Sequence, residues 1–122
     1  MKRYIGTKII HAEPRDKNYG PAEQQGQSGY TVVYPDGYTS WSPAAAFEEA
    51  YRERPLVEGL APHQQRVVDE KADLDERREK LQAFYSAPVF HGLPESEQSS
   101  LFGQGVAMRT YSEILAERIA RF

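Results

Sequence analysis

The feature that most constrains this chain is a pair of seven-residue apolar recurrences separated by a short break rich in proline. In one segment Val67, Leu74 and Leu81 recur every seven residues; in the next, Leu101, Met108, Leu115 and Phe122 do the same, with Gly105, Ser112 and Ile119 between them. Such a repeat marks helices that pack along one seam. Pro62 is suited to open the first helix, which is predicted to run to about Ser86. Pro88, Gly92 and Pro94 confine the break to "APVFHGLP", and the second helix is predicted from about Glu95 to Arg121. Two helices of about 25 residues, each roughly 37 Å long at ~1.5 Å per residue, form an antiparallel hairpin when the link is short. Two positions that would complete the first seam instead hold Lys71 and Arg78.

The first part of the chain is written in a different period. Residues 1–55 contain "RYIGTKII", then a connection rich in Gly, Gln and Pro, "NYGPAEQQGQSG", then "YTVVYPDGYTSWS". Thr31, Val33 and Pro35 alternate with Val32 and Tyr34, and Asp36-Gly37 offers the positive φ angles of a tight hairpin turn. A small antiparallel sheet is expected. Ser42 and Pro43 then read as N-cap and first-turn residue of a helix over "AAAFEEAYRER", ended by Pro55. The fold class is therefore α+β: a sheet module over 1–55 with one short helix, and a long helical hairpin over 56–122 that oligomerises. The oligomer is expected because Phe84, Tyr85, Phe90, Tyr111 and Ile114 do not all fit on one seam, and surplus apolar surface calls for another chain.

Charge and composition narrow the function. A net charge of −3 argues against a DNA or RNA binder, which needs a basic face to displace counterions from phosphates. The absence of cysteine excludes disulfides, thiolate catalysis and Cys-ligated zinc, and suits a reducing cytoplasm. No apolar run approaches the ~20 residues of a membrane helix, and "MKRYIGTKII" lacks the apolar core of a signal peptide, so no membrane association is expected. His11, His63 and His91 fall in a strand, a helix start and a loop with no H-E-x-x-H spacing, so neither a metal site nor a paired acid and base is expected. "FGQGVA" lacks the rest of a phosphate-loop pattern, and no G-x-S-x-G occurs; no cofactor is expected, and the chain does not read as an enzyme.

Two features remain. The run "DEKADLDERREK" reads as a solvated helix face held by pairs such as Asp73 with Arg77 and Glu76 with Lys80. The second feature is "FYSAPVF" at the hairpin tip, taken with Arg66, Arg109 and Arg118. Aromatic faces that hold a base and guanidinium groups that grip phosphate are what a small anionic nucleotide requires. The alternative for Phe90 is to plug the hairpin end. The alternative for Arg118 is to pair with Glu70 or Glu117.

The stretch from "LAPHQQRVVDEKADLDERREKLQAFYSAPVFHGLPESEQSSLF" to "MRTYSEILAERIARF" resembles the helical hairpin shared by phage anti-CBASS sponges and the first described type of Thoeris anti-defence sponge. The sheet module also looks like the N-terminal part of the Thoeris type. This resemblance implies a protein that binds and sequesters cyclic nucleotide immune signals, cyclic ADP-ribose isomers or cyclic oligonucleotides, in the host cytoplasm without degrading them. It implies a hexamer with ligands between subunits and, in relatives, trinucleotide pockets on threefold axes. By the same resemblance Arg66 of "HQQRV" and Arg118 of "ERIARF" are assigned to phosphates and Phe90 of "APVF" to a base, with Arg109 and Phe84 as additional ligand contacts. The glycines of "SSLFGQGVAMRTY" depart from the charged continuous helix of relatives, which weighs against a trinucleotide pocket there. The competing functions are an enzyme that degrades such a signal and an oligomerising phage protein with no ligand.

Overall fold

A computed structural model describes residues 1–122 and divides them into two compact units, Met1–Glu53 and Arg54–Phe122. The architecture is α+β, a three-stranded antiparallel sheet with a short helix followed by a helical hairpin.

In the first unit the strands β1 (His11–Pro14), β2 (Gly29–Val33) and β3 (Thr39–Pro43) lie in the order β1-β2-β3. The expected strand within "RYIGTKII" is displaced toward the C-terminus. β2 is only five residues long, and its register with β1 pairs His11 with Val33 and Pro14 with Tyr30. A residue before His11 would have to pair beyond Val33, where the chain is already turning. That turn also differs from the expected one. Tyr34 and Tyr38 close a three-residue loop through a Tyr34 N–H to Tyr38 carbonyl bond of 2.8 Å, and Gly37 alone adopts positive φ, at 89°. Asp36 instead accepts the Tyr38 N–H on its carboxylate at 3.0 Å.

Side chains alternate across the sheet. Tyr30 and Val32 face the helix α1 (Ala44–Ala50), where Val32 is buried and Tyr30 stacks on Phe47 with ring centroids 4.0 Å apart. Thr31, Val33, Thr39 and Trp41 lie on the opposite face. Helix α1 is shorter than "AAAFEEAYRER" suggests. Ser42 is paired with Tyr30 inside β3 and therefore does not cap the helix, a place Pro43 occupies. At the other end Tyr51 leaves helical geometry, with φ −127° and ψ 147°, while its ring packs on Phe47 at 5.1 Å. Its N–H still donates to the Phe47 carbonyl at 2.9 Å, so Tyr51 is the C-cap and the helix stops four residues before Pro55.

In the second unit α2 (Pro62–Phe84), the short helix α3 (Pro88–His91) and α4 (Glu95–Ala120) form the hairpin. Pro62 stands in the first turn of α2, and Gln64 reaches back to accept the Ala61 N–H at 3.0 Å. Pro94 precedes α4, whose first turn carries Glu95 and Glu97 where the helix dipole favours negative charge. Val67, Leu74 and Leu115 are buried together, with Met108 and Ile119 packed against them. Tyr85, just after α2, bonds the Leu101 carbonyl near the start of α4, while Asp75 farther back in α2 takes the hydroxyl of Ser112 farther along α4, which makes the pair antiparallel. The segment before α2 has no regular structure but is tied to the helix. The Gln65 amide donates to the Pro55 carbonyl at 2.9 Å and accepts the Val57 N–H at 3.1 Å, while Arg54 pairs with Asp73 and Glu76.

Candidate functional site

The cations beside the seam have a structural partner. Lys71 and Arg78 both bind Asp75, at 2.5 and 3.0 Å, and Asp75 also accepts the hydroxyl of Ser112 across the hairpin at 2.6 Å. Ser112 is buried, so this bond satisfies a hydroxyl that α4 places inside the seam. Burial pushes the Asp75 carboxyl up, but the hydrogen bonds from Lys71, Ser112 and Arg78 outweigh it and hold the pKa down at about 2. The rest of the charged run is more local. Glu76 pairs with Lys80 at 3.4 Å as expected, whereas Asp73 is held by Arg54 instead of Arg77. The Arg54 contact also lowers the pKa of Glu76, against a smaller opposing effect of burial.

At the tip, Phe90 is 2% exposed. Phe84, Tyr85, His91 and Phe102 surround it, with ring centroids 5.3 to 5.8 Å away. Its ring fills the end of the hairpin in the single chain. Phe102, at 49%, and His91 are the cluster's exposed rings, and Phe102 was not among the sequence candidates. Tyr85 packs beside Phe102 at 4.8 Å and donates its hydroxyl to the Leu101 carbonyl at 2.9 Å. It can do so because residue 105 is glycine: a Cβ there would collide with the Tyr85 hydroxyl. Gly103, by contrast, faces open space.

Arg66 and Arg118 lie at the opposite end. Arg66 adjoins the buried Val67, and Arg118 adjoins Ile119, which packs on the same cluster. Both are exposed, and neither has an acidic partner within 4.0 Å; Glu70 and Glu117 do not hold Arg118. Arg109 lies about midway along α4 and approaches Glu113 at 4.0 Å. The structure thus brings Arg66 and Arg118 to one end and Phe84 and Phe90 to the other, with Arg66 and Phe84 separated by roughly 27 Å at ~1.5 Å per residue of α2. His63 and His91 are separated in the same way, so within one chain they do not act together on one phosphate.

Such an end offers two guanidinium groups with unused donors, and the tip offers an aromatic cluster with Phe102 and His91 open. Both are suited to a ring-bearing anion. No curated protein and no solved structure matches the chain. The Sequestin family matches residues 61–121, from the residue before α2 to the residue after α4. With its whole helical hairpin inside that match, this chain belongs to the Sequestin family.

Proposed function

We propose that the protein is an anti-defence sponge that binds a cyclic nucleotide immune signal and holds it intact in the host cytoplasm. The ligand is a cyclic ADP-ribose isomer or a cyclic oligonucleotide. Arg66 and Arg118 hold its phosphates, with Arg109 as a further cation. Its base lies against the aromatic tip built from Phe84 and Phe90, where Phe102 is an open ring. Because one chain separates these groups by the length of the hairpin, the site lies between subunits of a homo-oligomer, a hexamer.

The observation that carries this reading is the pair Arg66 and Arg118, exposed, without acidic partners and at one end of the region matched to the Sequestin family. A guanidinium kept free of carboxylates keeps its planar set of donors for an incoming phosphate. Sequestration without turnover has to outcompete a receptor for scarce signal, which calls for nanomolar affinity, about −12 kcal/mol.

The test is calorimetry with a panel of cyclic ADP-ribose isomers and cyclic trinucleotides, followed by heat denaturation and chromatography of the released ligand. Nanomolar binding and recovery of intact nucleotide are expected. Linear product would identify a degrading enzyme, and no binding tighter than micromolar across the panel would identify an oligomer without such a ligand.

A further inference from the structure

Residues 1–10 form no helix or strand, and Tyr4 and Ile5 are each 88% exposed and Ile9 66%. Their composition is nevertheless that of a strand, since Tyr4, Ile5, Thr7, Ile9 and Ile10 are aromatic or β-branched. The arm is left over because β1 begins at His11, opposite Val33, the last residue of β2. The Lys8 ammonium lies 5.5 Å from the centre of the Tyr34 ring, so the arm leaves β1 past the β2–β3 turn.

The sheet has two free edges. On β3, the Tyr34 N–H to Tyr38 carbonyl bond at 2.8 Å and the Ala44 N–H to Ser28 carbonyl bond at 3.0 Å bracket the ladder with β2. With the register they make the even-numbered residues of β3 the bonded ones, so the N–H and carbonyl groups of Thr39 and Trp41 point away from β2. No charged side chain guards this strand. Its one large side chain turns inward: the Trp41 indole N–H donates to the Arg15 carbonyl at 2.7 Å, and the ring lies over Gly29, where a Cβ would overlap it. Glycine at 29 thus seats the indole across the sheet and leaves the outer edge of β3 to backbone. The β1 edge offers less. The Arg15 N–H to Gly29 carbonyl bond at 2.8 Å makes odd-numbered residues the bonded ones there, so Ala12 and Pro14 point outward, and proline has no N–H.

We propose that residues 4–10 add as a strand to the free β3 edge of a second copy of this chain. Backbone pairing of this kind needs an extended segment and an unguarded edge, and the chain supplies both. Charge selects the partner. Residues 1–10 hold Lys2, Arg3 and Lys8 and no acid, so against a net charge of −3 for the whole chain the remaining residues carry −6. A basic arm meets an acidic body in a second copy, whereas arm laid on arm would set like charges against each other. The arm continues from β1, and its own β3 lies beyond β2, so reaching that edge means turning back and using residues the pairing needs. The exchange involves neither the hairpin arginines nor a nucleotide, so it is tested apart from the sponge reading.

The chain has no cysteine, so single introduced thiols report on this contact alone. Gly6→Cys, at a position with open space around it, and Ser40→Cys on β3 are made in separate full-length chains, one carrying a size tag. They are mixed, left to exchange subunits at micromolar concentration and treated with a short bis-maleimide. A heterodimer of the two variants is expected as the main product, with at least tenfold less product from either variant alone. Ile5→Pro in the arm, or Thr39→Pro, which removes an outward N–H without breaking the β2 ladder, should lower the heterodimer yield at least tenfold with unchanged circular dichroism. Amide hydrogen exchange of the wild-type chain should be slowed across residues 4–10 and should speed up on dilution. The proposal is overturned by no heterodimer, by equal cross-linking within Gly6→Cys alone, or by a Gly6→Cys/Ser40→Cys chain that links to itself instead. Protection of the arm that arises only when a DNA duplex is added would also overturn it.

Discussion

At the scale of single residues the most consequential group is Asp75. Its folded pKa of about 2 lies below the ~3.9 of an unfolded aspartate, so the unfolded chain takes up the proton first as pH falls. The stability Asp75 supplies is therefore complete above about pH 5 and is lost between about pH 4 and pH 2. With the side chain 32% exposed, screening by solvent reduces that contribution to about 1–2 kcal/mol. Denaturant unfolding followed from pH 6 to pH 2 should show this loss, and Asp75→Asn should flatten the profile over the same range; an unchanged profile would show that Asp75 is not held by these partners. The sequence did not single out Asp75 from "DEKADLDERREK", because its inward role depends on where Ser112, 37 residues away, meets it. Phe90 was ambiguous for a related reason. An aromatic in a helix link gives the same local signal whether it plugs the end or stacks on a ligand, and only the rings around it show that it is enclosed.

At the scale of elements, α4 tests why its two glycines differ. Each glycine in a helix interior costs about 1 kcal/mol relative to alanine. Gly103 faces open space, so Gly103→Ala should raise stability by about that amount. Gly105→Ala should lower it, because the new methyl displaces the Tyr85 hydroxyl from the Leu101 carbonyl and disturbs a ring packed on Phe90 and Phe102. Tyr85→Phe should recover part of the loss in the Gly105→Ala background while costing about 1 kcal/mol alone, the worth of its hydrogen bond. Thermal unfolding of the four variants measures the coupling, and additive effects would show that Gly105 does not make room for Tyr85. The limits of α2 and α4 were legible because Pro62 and Pro94 act locally on their own turns. The end of α1 was not legible, since the stop signal in the sequence, Pro55, lies four residues beyond the C-cap at Tyr51.

At the scale of the whole molecule, α4 leaves Phe102, Val106, Tyr111 and Ile114 exposed outside the hairpin seam. Unpaired apolar surface of this kind is best accounted for by copies of the chain burying it against one another. Light scattering coupled to size exclusion should give a hexamer, and a charge at Val106 or Ile114, as in Val106→Glu or Ile114→Glu, should dissociate it and abolish nucleotide binding together. A wild-type monomer at micromolar concentration would remove the intersubunit site. If the arginine end of one hairpin and the aromatic tip of another share a ligand, Arg118→Ala and Phe102→Ala should each weaken binding at least tenfold, the loss of a charge-assisted contact being worth about 1.5–3 kcal/mol. Mixed oligomers of the two variants should regain some tight sites after subunit exchange, and no recovery would separate the two groups.

The sequence by itself determined the α+β division, the two long helices and their antiparallel order, and hence that Arg66 and Arg118 share an end. These follow from apolar period, proline position and link length, which act over a few residues or constrain a whole helix at once. Tertiary structure alone decided which strand segment pairs, which acid turns toward Ser112, why glycine stands at 105 and at 29, and that Phe90 is enclosed while Phe102 is open. Each of those outcomes depends on a side chain brought close by the fold from a distant part of the chain, and no local pattern encodes that meeting.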